Sequence, residues 1–104
     1  MTPPLFSIVI PTYNRSELVR GAVRSILDQT FDDYEVVVSD NCSQDDTRAV
    51  IAGIQDPRVR YVRTPAHGVI AESWEFARTQ ARGTLVMMLS DDDALVPNAL
   101  ALFA

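Results

Sequence analysis

The chain has 104 residues, 47% of them hydrophobic and 22% charged, with a formal net charge of -5. That length allows one hydrophobic core of ordinary size, and the acidic balance argues against a nucleic-acid backbone or an anionic membrane surface as the main partner. All nine basic residues are arginine, which excludes lysine-dependent chemistry, and a single Cys42 and a single His67 exclude an internal disulfide and a His/Cys zinc site.

Leu5 to Ile10 is a β-branched apolar run closed by Pro11 and reads as a first buried strand. The loop Thr12-Tyr13-Asn14 follows, and Asn14 with Glu17 has the spacing of a helix N-cap and its reciprocal partner. The helix after it carries two apolar stripes, Leu18/Ala22/Ile26 and Val19/Val23/Leu27, with Arg20 and Arg24 on a solvated face. Tyr34 to Ser39 is the second strand, running into the turn formers Asp40-Asn41-Cys42-Ser43. Ser43 and Asp46 are placed to cap a second helix with Val50, Ile51 and Ile54 inward, and Asp45 and Asp46 read as charges at its N-terminus. Val59 to Val62 is a short third strand, followed by a loop from Thr64 to Gly68. Ile70, Trp74, Ala77 and Ala81 mark one face of a third helix, with Trp74 expected in the core and Gly83 as the stop. Leu85 to Leu89 is a fourth, buried strand that ends in Ser90-Asp91-Asp92-Asp93, and Pro97 is placed to open a last helix with Leu100 and Phe103 inward.

Four strand–helix units in sequence predict an α/β fold: a doubly wound, mostly parallel sheet with flanking helices. Residues 1–104 read as one domain. The apolar Ala94-Leu95-Val96 and Leu100 to Phe103 lead us to expect a C-terminal truncation or packing on another subunit. No apolar run approaches the roughly 20 residues of a membrane span, and Pro3 and Pro4 with no basic n-region do not resemble a signal peptide. The expected location is the cytoplasm, with peripheral attachment to the inner face of the membrane as an alternative.

In open parallel sheets, ligands bind outside the carboxyl ends of the strands, and here a polar cluster follows every strand. Tyr13 offers a ring to stack on a base, and Asp40 and Asn41 offer hydrogen bonds to base or ribose. The triplet Asp91-Asp92-Asp93 is either a solvated acidic turn or the seat of a hard cation, Mg2+ or Mn2+, that bridges phosphates. The first loop lacks both G-x-G-x-x-G and G-x-x-x-x-G-K-[ST], so a dinucleotide cofactor and an NTPase P-loop are not expected. His67 receives no site role; Arg60 and Arg63 could reach a phosphate or base but are read as solvated.

Four stretches resemble family 2 glycosyltransferases of the GT-A fold in order and spacing. They are Ser7 to Arg15; Ser25 to Phe31; Val38 to Thr47; and Ala81-Arg82-Gly83 leading to Leu89 to Asp93. The resemblance implies the N-terminal, nucleotide-sugar-binding part of such an enzyme. It implies nucleotide contacts from Thr12, Tyr13, Asn14, Asp40, Asn41 and Asp91. Asp91 and Asp92 would be the DXD acids that hold Mg2+ or Mn2+, with Asp92 the preferred ligand and Asp93 beside it. It further implies a nucleotide-diphospho-sugar donor, a UDP-sugar favoured, a saccharide or lipid-linked acceptor, and inverting transfer. The general base would lie beyond the acidic motif, so this chain alone is expected not to turn over. Two departures leave points open: many members carry two acids at Asp40-Asn41, and Ser90 stands where many have the first acid. A non-catalytic nucleotide-binding or interaction module, with a homo-oligomer formed through the apolar C-terminus, is the alternative. A phosphoacceptor receiver-like domain is disfavoured, because acids after the first strand and the required lysine are missing.

Overall fold

In the computed structural model, which describes residues 2–95 and 99–103, eight elements alternate along the chain. They are β1 (Phe6–Thr12), α1 (Ser16–Leu27), β2 (Tyr34–Asp40), α2 (Thr47–Ala52), β3 (Val59–Arg63), α3 (Ile70–Thr79), β4 (Leu85–Met88) and α4 (Ala99–Phe103). The four strands form one parallel sheet in the order β3-β2-β1-β4. This is the doubly wound sheet the sequence predicts. Pro97 and the side chain of Phe103 lie outside the described residues.

β1 is the centre of the molecule, with all seven residues buried. A strand covered on both faces must be apolar on both, which is why Phe6 to Ile10 shows little alternation. Phe6, Ile8 and Ile10 join Val36, Val38, four residues of α1, Ile51 and Leu100 in the larger core cluster. On α1 the buried set is Val19, Ala22, Val23 and Ile26, while Leu18 is exposed. Burying each larger side chain is worth ~1.5–3 kcal/mol. Val9 and Val37 belong to a smaller cluster with Ala77 of α3, flanked by Val62, Ala81 and Met88.

Several local expectations are overturned. Trp74 is 37% exposed and Ile70 lies open to solvent; α3 buries Ser73 and Ala77 instead. β4 is not a buried strand: it is the edge next to β1, and Leu85 and Val86 are 46% and 47% exposed. Asn14 and Glu17 form no capping box. α1 begins at Ser16, whose backbone N–H donates to the Asp45 carboxylate at 3.3 Å. Nor do Ser43 and Asp46 cap α2; Asp45 Oδ1 accepts from the Thr47 N–H at 3.0 Å and from its hydroxyl at 2.5 Å. At α1 long-range bonds outcompete the local pattern, whereas at α2 the competing bond is itself local, between Thr47 and Asp45.

The amino ends of the strands are tied by a polar knot. Ser7 Oγ donates to Glu35 at 2.5 Å and accepts the Gly83 N–H at 2.7 Å, while Glu35 also accepts the Arg82 N–H at 2.7 Å and Arg60 Nη2 at 3.2 Å. Arg60 is therefore structural, not solvated. Gly83 is required by crowding rather than by helix termination. α3 ends at Thr79, and a Cβ on Gly83 would sit 2.7 Å from Ser7 N and Oγ and 2.8 Å from Phe6 C. Burial would raise the pKa of Glu35, but the hydrogen bonds from Ser7, Arg82 and Arg60 and the Arg60 charge outweigh it and hold the carboxyl below the ordinary glutamate range.

Two outcomes are expected. Gly83→Ala should lower the unfolding free energy by ~1–3 kcal/mol in urea denaturation, because backbone cannot yield as a flexible side chain does; an unchanged midpoint would refute the crowding argument. Because the folded pKa of Glu35 lies below the unfolded one, its contribution is full above the ordinary glutamate range and is lost as pH falls through the lowered value. Stability measured from about pH 5 down to about pH 3 should therefore fall more steeply for the wild type than for Glu35→Gln.

Candidate functional site

The chain runs β1, β2, β3 in one direction and then crosses to β4 on the other side of β1. The loops after β1 and β4 consequently face each other across a switch point at the carboxyl edge. This brings together residues 79 positions apart: Thr12 Oγ1 donates to Asp91 Oδ2 at 2.9 Å. Asp91 Oδ1 accepts from Arg15 Nη1 at 3.1 Å. The same nitrogen stands 4.0 Å from Asp92 Oδ2, and Asp92 Oδ1 accepts the Ser90 hydroxyl at 2.7 Å. Asp91 is only 6% exposed, whereas Asp92 and Asp93 face solvent. The Ser90 hydrogen bond, aided by the Arg15 charge, holds the Asp92 carboxyl below the usual aspartate range. Asp93 is oriented by its N–H, which donates to Ser90 O at 3.1 Å.

Asp40 is fully buried at the end of β2. One carboxylate oxygen accepts the Ser43 N–H at 2.8 Å, the other accepts the Tyr61 hydroxyl at 2.5 Å, and Arg63 stands 3.8 Å away. Burial, with the bond to Asp40, pushes the Tyr61 phenol above its ordinary pKa. Asn41 spends its amide on the third loop: Nδ2 donates to Gly68 O at 2.8 Å, and Oδ1 accepts the Gly68 N–H at 3.0 Å and the Thr64 hydroxyl at 3.3 Å. That clamp sets the segment carrying His67. The His67 ring lies against Tyr13, with centroids 4.6 Å apart and planes tilted by 44°.

Asn14 laces the first loop to the second. Its N–H donates to Ser43 Oγ at 2.8 Å, and its Oδ1 accepts the Gln44 N–H at 2.7 Å. Asn14 and Cys42 have φ of 51° and 60°. Both backbones are in the left-handed region, at a cost of roughly 1–2 kcal/mol for a residue with a Cβ, less for Asn. Cys42 is held there by donating its thiol to Thr64 O at 3.3 Å. A small cavity of about 160 Å³ opens beside this loop, lined by Asn41, Thr64, Gly68, Glu72, Ser73 and Phe76 among others.

All the residues picked from sequence thus lie along one edge, but in two groups. Thr12, Asp91 and Asp92 meet Arg15 at the switch point. Asp40 and Asn41 meet Tyr61, Arg63, Thr64 and Gly68, and Tyr13 leans on His67 between the first and third loops. Sequence reasoning gives Arg15, Tyr61, Arg63 and His67 no site role. Arg15 alone had a usable signal, since it adjoins Asn14 in the first polar loop.

Does the acidic turn fit a hard cation? Among the described residues no three acids converge on one point. The donor chemistry does fit, because Asp91 and Asp92 each give one oxygen to a hydroxyl and turn the other toward a single positive nitrogen. A cation held by Asp91 and Asp92 would take its remaining ligands from water or phosphate oxygens.

The comparisons with known proteins agree with one another. Residues 7–104 match the family model described as glycosyl transferase family 2. A GalNAc(5)-diNAcBac-PP-undecaprenol beta-1,3-glucosyltransferase of Campylobacter jejuni is 37% identical over 101 residues, covering 94% of this chain and 33% of that protein. S. aureus TarS superposes with a TM-score of 0.87 at 26% identity, covering 95% of this chain and 18% of that one. TarS 1-349 in complex with UDP-GlcNAc superposes with a TM-score of 0.83 at 25% identity, covering 95% of this chain and 29% of that one. The chain spans between 10% and 37% of the length of the curated relatives compared with it.

Thr12→Val should destabilise the fold by about 1–3 kcal/mol, because the buried Asp91 loses its hydroxyl donor. Thr12→Ser should recover most of the loss in the same denaturation experiment. Equal stability of Thr12→Val and wild type would show that Asp91 does not depend on this bond.

Proposed function

Because the chain belongs to glycosyltransferase family 2, as the match over residues 7–104 establishes, we propose that it is the donor-binding domain of a glycosyltransferase. The donor is a nucleotide-diphospho-sugar, and its binding depends on Mg2+ or Mn2+. The observation that carries this reading is the carboxyl edge itself. A half-exposed aromatic ring, Tyr13, and a pair of acids, Asp91 and Asp92, stand at the ends of adjacent loops where a parallel sheet places its ligands.

Tyr13 provides the stacking face for the base, and Thr12 and Asn14 shape the loop beneath it. Asp40, fully buried and bonded to Ser43 and Tyr61, would reach base or ribose only if the Tyr61 hydroxyl gave way, and Asn41 would act beside it through the Gly68 segment. Asp92, with Asp91 and the neighbouring Asp93, would hold the cation, which when bound supplies charge neutralisation for the departing diphosphate. Inversion requires attack by an acceptor hydroxyl on the face opposite that leaving group, with a base to take its proton. No residue of this chain is assigned to that base.

The UDP-GlcNAc complex of TarS 1-349 supports a UDP-sugar as the donor. The name of the Campylobacter relative supports a lipid-linked saccharide acceptor, and transfer to such an acceptor would serve the assembly of a cell-envelope polysaccharide. Such an acceptor would place the protein at the inner face of a membrane. No helix among the described residues is long and apolar enough to cross one.

Calorimetric titration of UDP, GDP, CDP and dTDP, each with Mn2+ and again with EDTA, tests the reading. UDP should bind in a metal-dependent manner, and Asp92→Ala should abolish the metal-dependent gain. Absence of binding by all four nucleotides would refute a donor site in this chain.

A further inference from the structure

Arg15 stands between the two acids to which the cation is assigned above. Its Nη1 lies 3.1 Å from Asp91 Oδ1 and 4.0 Å from Asp92 Oδ2, the two oxygens turned away from the Thr12 and Ser90 hydroxyls. A guanidinium does not deprotonate in the working pH range, so this charge is removed only by moving the side chain. A divalent ion arriving alone must displace a tethered positive group from the same oxygens, and tethering gives that group a high effective concentration. The side chain is half exposed, and it hangs from the loop before α1 rather than from the sheet, so it has room to swing.

We infer that Arg15 is a built-in counter-ion of the acidic turn that makes binding of the divalent cation conditional on the nucleotide diphosphate, a role that rests on the donor-site reading above. A diphosphate offers the planar guanidinium a bidentate partner it lacks in the free protein. Only then do both carboxylates become available together. Arg15 is a positioning residue in this account: it acts on the cation through Asp91 and Asp92. Metal and nucleotide are thereby coupled, and linkage requires the coupling to be equal in both directions.

The test measures binding rather than turnover. Free Mn2+ is followed by its paramagnetic resonance signal, with and without saturating UDP, for wild type, Arg15→Gln and Arg15→Lys, each first shown to be folded by thermal melting. Wild type should bind Mn2+ weakly alone and on the order of tenfold or more tightly with UDP, and Mn2+ should tighten UDP by the same factor. Arg15→Gln keeps a hydrogen-bond donor but no charge; it should bind Mn2+ alone about tenfold more tightly than wild type, and its coupling should shrink in both directions. Arg15→Lys keeps the charge and should exclude free Mn2+ as wild type does. If Arg15→Gln binds free Mn2+ no better than wild type while UDP still binds, the counter-ion role is wrong and the donor site stands. If Arg15→Lys behaves like Arg15→Gln, charge is not the cause and the inference is likewise overturned. UDP binding with no Mn2+ bound by any variant would remove both this role and the metal dependence. Failure of UDP itself to bind would remove the donor reading with it.

Discussion

A carboxylate buried at the end of an apolar strand must be paired or it unfolds its surroundings. Asp91 is that group. Taking it out of water costs several kcal/mol unless donors meet both oxygens, and both donors come from the first loop, as Thr12 and Arg15. The requirement fixes how the chain leaves β1 and also where β4 lies. β4 pairs with β1 as far as Val9–Met88, and Leu89 N–H still donates to Val9 O at 2.9 Å. The acidic turn is thereby delivered to the level of Thr12 and no other. The neighbouring Asp92 and Asp93 can then stay in water, oriented by Ser90, without being drawn into the core.

The same logic runs along the rest of the edge. Most polar side chains there hold one another: Asn14 holds the second loop, Asp40 holds Ser43 and Tyr61, and Asn41 holds Gly68. Only a few groups, such as the Tyr13 and His67 rings and Asp92, remain directed outward. This lacing orders the edge in the free protein, which would spare a ligand bound there the entropy of ordering it. The two left-handed residues, Asn14 and Cys42, lie within this lacing, where the surrounding bonds can sustain their strain.

The architecture was legible because each strand–helix unit carries its own period, and because the turn clusters fall after every strand. The family was legible because four motifs keep their order. What local pattern could not convey was position within the sheet. Leu85 to Met88 is as apolar as Val36 to Val38, yet one run is an edge and the other is interior, and only the strand order distinguishes them. Trp74 fails for the same reason, since α3 is the helix that covers the smaller core cluster, with its contacts on Ala77. The cap spacing of Asn14 and Glu17 was a real local signal, but Ser43 and Gln44, about thirty positions on, offered Asn14 better partners. Arg15 and His67 acquire roles only across large sequence separations.

Those separations also bear on how the molecule assembles. The β1–β2 pairing joins residues about 28 apart, whereas Thr12 and Asp91 are separated by 79 and Ser7 and Gly83 by 76. Contacts between distant residues become favourable only after the entropy of closing the intervening chain has been overcome. Loop-closure entropy alone would favour forming the β1–β2–β3 layer with α1 and α2 before β4 docks on it. The acidic turn exists as a defined object only after that final step. Until β4 is in place Asp91 has neither the Thr12 hydroxyl nor the Arg15 guanidinium beside it, so the order of the acidic turn is set by the sheet rather than by its own sequence.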